Sequence, residues 1–159
     1  MPVVERIADE LFARLQRLAA GYSAVFIASE VIRPKRVDGY TPKDRQIVLT
    51  LGQEERINEL DCPGNPPAVA YRQTFNVRCH VCPSEKDPTP IDRYVSLMAA
   101  SVMQVIGEPN RWHTFGELSM NAEWLPREDI FGEGGTDGCN MQIAVTYRVD
   151  ETNPFNVRG

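Results

Sequence analysis

The spacing of hydrophobic and polar positions changes several times along the chain, and each change marks an element. Near the N-terminus Val4, Ile7, Leu11, Leu15 and Leu18 recur at three to four residues, with Arg6, Asp9, Glu10, Arg14 and Arg17 elsewhere. That period predicts an amphipathic helix over residues 3–20, ended by Gly21. A second helix is predicted over Thr89 to Gly107, where Ile91, Val95, Met98, Val102 and Val105 form one apolar stripe. Its ends carry their own signals: Thr89 and Asp92 in a capping-box spacing, Pro90 at the first helical position, Gly107 as a left-handed cap and Pro109 as a stop.

Between and after the helices the period falls to two. Residues 24–34 are rich in Val and Ile and predict a first strand. A second follows from Gln46, with Ile47, Leu49 and Leu51 on one face and a charged outer half, Glu54, Glu55 and Arg56, projecting beyond the core. The third alternates most cleanly: Tyr71, Phe75, Val77, Cys79 and Val81 face inward, and Arg72, Thr74, Asn76, Arg78 and His80 face a wet side. Leu118, Met120, Ala122 and Trp124 predict a fourth strand, and Met141, Ile143, Val145, Tyr147 and Val149 a fifth. The fold class is therefore α+β, a largely antiparallel sheet of about five strands with two helices packed on it and long connections.

Three stretches fall outside these periods. The Pro-rich segment 59–67 predicts an irregular connection, and so does the acidic, Gly-rich loop from Pro126 to Gly138, where Ile130 and Phe131 stand out as apolar anchors for a partner. The last residues, 150–159, predict an irregular tail, free or docked on a neighbour through Asn153, Pro154 and Phe155.

Length and composition then narrow the class. A chain of 159 residues makes one domain with a core of useful size, and 42% hydrophobic with 25% charged residues is a soluble composition. No apolar run is long enough to span a membrane, and Glu5, Asp9 and Glu10 interrupt any signal-peptide pattern, so the expected compartment is the cytoplasm. A net charge of −5 argues against gripping nucleic acid through phosphates. Four Cys in such a chain are expected as reduced thiols.

Candidate chemistry is sparse. Cys79 and Cys82 form a CxxC, and with Cys62, Cys139, His80 and His113 four zinc ligands can be counted, but the second ligand pair of a structural zinc site is missing. Glu128, Asp129, Glu133 and Asp137 offer oxygen ligands for a hard cation in no recognised loop spacing, and a solvated polar loop accounts for them better. No nucleophile motif and no phosphate-cradling glycine loop occurs, so neither an enzyme nor a cofactor is expected.

The order of elements, and above all the strand Ile143 to Val149 running into Asp150, Glu151, Asn153 and Pro154 after a long acidic loop, resembles the tail-terminator proteins of long-tailed bacteriophages. The resemblance implies a single tail-terminator-like domain over residues 1–159, assembled in the host cytoplasm and resident in the virion. It implies a homo-hexameric ring that caps the tail tube and meets the head connector, with contacts through Glu54, Glu55, Arg56, Ile130, Phe131, Asn153, Pro154 and Phe155. Six copies would carry about −30, letting DNA pass through the pore without specific binding. Two alternatives stay open: another neck or tail-completion component on the same fold, and a small cytoplasmic metal-binding domain using Cys79 and Cys82.

Overall fold

The computed structural model describes every residue except 24, 37 and 133–135. Two helices, α1 (Val3–Ala19) and α2 (Ile91–Gly107), lie on one face of a seven-stranded sheet. The strands are β1 (Glu30–Ile32), β2 (Gln46–Arg56), β3 (Ala68–Val81), β4 (Asn121–Trp124), β5 (Glu128–Ile130), β6 (Asp137–Asp150) and β7 (Asn153–Val157). The α+β class is as the periodicity predicts, with two more strands than expected. All pairings are antiparallel except β1 with β2.

The long strands β3 and β6 form the spine, paired continuously from Ala68↔Asp150 to Val81↔Asp137. Their odd residues face the helices, and Phe75, Val77, Cys79, Val81, Ile143 and Val145 are fully buried there. Ile7, Leu11, Leu15, Met98, Val102 and Val105 meet them from the helices with no exposed surface. This face is the core that the two periods predict.

Several boundaries differ from the sequence reading. Only Glu30–Ile32 of residues 24–34 pairs as a strand; Phe26 and Ala28 are buried without joining the ladder. Segment 59–67 is not wholly irregular: Asn58–Leu60 makes a 3-10 turn, and Cys62 bridges to Ala68 in both directions. In α2 the capping box does not form, because Asp92 accepts from Arg93 N, and the N–H of Thr89 itself donates to Asp87. Pro90 is extended and precedes the helix. Gly107 remains helical and Glu108 follows in right-handed geometry, so no left-handed glycine ends α2. In its place the Arg14 guanidinium of α1 donates to Ile106 O at 3.1 Å and Trp112 O at 2.9 Å, satisfying the carbonyl end of the helix from outside.

The end of α1 follows the expected chemistry. Gly21 takes φ +85°, and Tyr22 N donates to Arg17 O across it, closing a Schellman turn.

Candidate interaction surface

A sheet with helices on one face leaves a second face and two edges to be managed, and the two edges are treated differently. The far edge of β6 is covered by three short strands in succession, β5 at Gly138–Asn140, β4 at Ile143–Thr146 and β7 at Val149–Asp150. The opposite edge, β2, is covered by β1 only at Gln46–Val48. From Leu49 to Arg56 β2 has no outer partner strand among the described residues, and its residues from Gly52 onward are exposed. An open edge of this length presents unpaired backbone groups that suit strand addition.

The edge is bent by a bulge. Between the pairs Leu51↔Phe75 and Glu54↔Gln73, β2 supplies two residues and β3 one. Gly52 sits there because a Cβ would lie 3.1 Å from Thr74 O, and the buried Gln73 amide donates to Gly52 O and Gln53 O, holding the bulge shut. Beyond it the three predicted contact residues are exposed, and each also has a partner within the subunit. Glu54 accepts from Tyr147, Glu55 approaches Arg72 at 3.7 Å, and Arg56 pairs with Asp61 at 2.8 Å. The Arg56 guanidinium and the Ala70 amide hold the Asp61 carboxyl below the usual carboxylate range. Backbone, more than side chain, is what this edge leaves free.

The loop from Pro126 to Gly138 is not devoid of regular structure. Glu128, Asp129 and Ile130 pair with Asn140, Cys139 and Gly138 as one arm of a hairpin. Ile130 is half-buried on this arm, whereas Phe131 is 48% exposed. Of the acidic set, Asp129 pairs with Arg127 at 2.8 Å and Asp137 accepts from Gly132 N; Glu133 lies outside the described residues.

The C-terminal residues are likewise ordered by the subunit itself. Asn153, Pro154 and Phe155 belong to β7, which doubles back on β6. Arg158 donates to Asp150 and to Pro66 O, and Asn156 Nδ2 donates to Asp150 Oδ2. The Asn156 amide first, and Arg158 with it, hold the Asp150 carboxyl low. An irregular tail is thus corrected to a seventh strand, though Phe155 still shows 51% of its surface.

The CxxC does not gather ligands. Cys79 is buried on the core face and Cys82 is exposed past the end of β3. Cys79 instead faces Cys139 across the ladder, and this thiol contact together with burial pushes the Cys79 thiol well above its ordinary range, so it stays protonated. A protonated, enclosed thiol is a poor metal ligand and a poor nucleophile. Among the described residues no three His, Cys, Asp or Glu side chains are grouped to hold a metal ion.

Neither the protein-family models nor the curated proteins gave a match to this chain.

Proposed function

We propose that the chain is a structural subunit of a long-tailed bacteriophage virion, assembling as a hexameric ring that caps the tail tube and joins it to the head connector. The observation that carries this reading is the open edge of β2 from Leu49 to Arg56, set against a β6 edge covered by three strands. A ring needs a heterologous contact in which one surface of each subunit meets a different surface of the next, and an unshared strand edge supplies one half of it. Phe131 and Phe155, both about half exposed, offer aromatic anchors of the kind that dominate protein interfaces. The work of such a subunit is mechanical, and the chain's net negative charge suits a pore through which DNA passes without adhering.

Native mass measurement of the purified chain, with electron microscopy of a mixture with tail tubes, tests the reading. Six-subunit rings seated on tube ends are expected. Joint replacement of Phe131 and Phe155 by Ser should leave melting unchanged and reduce capping. A chain that stays monomeric at every concentration and ignores tube ends overturns the proposal.

A further inference from the structure

On the helix-free face of the sheet, between β2, β3, β6 and the β5 arm, lies a cavity of about 300 Å³. Arg78 is one of its walls. Its side chain makes no hydrogen bond or ion pair among the described residues; Nη1 is enclosed by the protein without a partner, and Nε with Nη2 is the edge of the guanidinium that keeps accessible surface. That edge carries two parallel N–H donors and no acceptor, and a planar oxyanion is the group that fits it.

The remaining walls narrow the choice of anion. Asn76 Oδ1 accepts from Gln142, which fixes the amide so that its nitrogen is left to donate, and Asn140 and Thr50 add polar groups beside it. Val48 and Ile130 give the cavity an apolar side that fits a short hydrocarbon stem. Glu128 also lines it, beyond ion-pairing distance of Arg78. Its carboxylate opposes accumulation of negative charge, so a single charge is tolerated where a doubly charged phosphate is not.

We infer that the Arg78 cavity is a binding site for a compact monocarboxylate, either a free short-chain acid or the side chain of an acidic residue on a protein partner. Arg78 provides the bidentate fork, Asn76 and Asn140 share the oxygens, and Val48 with Ile130 hold the stem. Glu128 sets the charge limit.

Titration of the full chain with propionate, with inorganic phosphate and with an N-acetylated, C-amidated glutamate, followed at the Arg78 Nε–Hε resonance, tests this. Propionate should shift that resonance saturably and phosphate should not. Arg78→Lys, which keeps the charge and loses the planar fork, should weaken propionate binding about tenfold. Glu128→Gln should strengthen propionate and admit phosphate, and it keeps the test open should Arg78→Lys not fold. Tighter binding of the blocked glutamate than of propionate identifies a partner's side chain as the source, and the opposite order a free acid; both uphold the site. No saturable shift with either carboxylate, undiminished binding by a folded Arg78→Lys, or phosphate binding more tightly than propionate to the unaltered chain overturns it.

Discussion

The Tyr147 hydroxyl donates a 2.7 Å hydrogen bond to Glu54 Oε2, reaching from β6 over β3 to the far half of β2. Tyr147 is buried and its ring lies 5.9 Å from that of Tyr71, which stands on the strand between. Burial, and then this bond to an anion, push the phenol up, so it remains a donor throughout the working range. The contact ties the otherwise open end of β2 to the spine. Tyr147→Phe should cost about 1 kcal/mol, less than a buried charge-assisted bond, because water can take the hydroxyl's place at the exposed Glu54. Denaturant midpoints for Tyr147→Phe, Glu54→Gln and the double variant give the coupling, and strict additivity would show that the bond holds nothing.

Stability should depend on pH through His80. Burial, with the charge of Arg78 acting the same way, lowers its pKa from 6.5 to about 4. Tyr40 Oη at 2.8 Å and Thr136 Oγ1 at 3.3 Å enclose the neutral ring. The unfolded chain therefore binds this proton more readily than the folded one, and stability is full above pH 6.5 and falls as the pH drops from there towards 4. After discounting for solvent screening the loss is roughly 1–2 kcal/mol. Urea midpoints across this range, repeated with His80→Asn, should show the slope in the parent and a flatter line in the variant.

Gly138 sits where no other residue fits. Its φ is +150°, and a Cβ would lie 1.9 Å from Cys79 O on the facing strand. The carbonyl belongs to the central ladder and cannot retreat without breaking it. Gly138→Ala should cost about 3 kcal/mol or more, and a variant melting within a degree or two of the parent would mean that the β3–β6 ladder yields there.

Removal of residues 151–159 is expected to destabilise the subunit as well as any assembly. It deletes β7 and takes both Asn156 and Arg158 from Asp150, whose carboxylate is then left with neither partner. The truncated chain should melt several degrees lower at neutral pH, and its deficit against the parent should narrow as the pH falls through the carboxylate range, since Asp150 no longer gains from being ionised. Unchanged melting would show that β7 is ornamental to the fold.

What the sequence made legible was what repeats. The stripes of α1 and α2 and the alternation of β3 and β6 each involve a dozen or more residues, so burial enforces them whatever the ends do. Short strands carry no such pattern. Glu128–Ile130 and Asn153–Val157 are strands because β6 runs alongside them, and their own residues, two acids in one and a proline in the other, point to loops. The candidate surface was legible only in part, since exposure of Glu54, Glu55 and Arg56 follows from their charge, whereas the partners Tyr147, Arg72 and Asp61 come from pairing register and the folding of a connection. Arg78 reads from sequence as one more wet-face residue of β3; its lack of a partner is a property of four strands together.

Arg14 shows the same limit most sharply, and it too carries a large energetic expectation. By spacing it belongs with Ile7, Leu11 and Leu18 on the apolar stripe of α1, yet its charge assigns it to the polar face. The structure buries it, because a contact separated by about ninety residues gives the guanidinium two carbonyl acceptors, with Glu10 Oε1 one turn back on α1 and the Phe115 ring 4.6 Å away. It thereby does for the end of α2 what a left-handed glycine does elsewhere. Arg14→Met keeps most of the apolar stem and removes every donor, leaving Ile106 O and Trp112 O unsatisfied at an enclosed site, which should cost about 3 kcal/mol. Arg14→Lys retains the charge but cannot span two diverging carbonyls, so it should recover only part of the loss. Equilibrium unfolding of the three proteins decides the matter: Arg14→Met within about 0.5 kcal/mol of the parent would mean that water caps α2 as well as the guanidinium does.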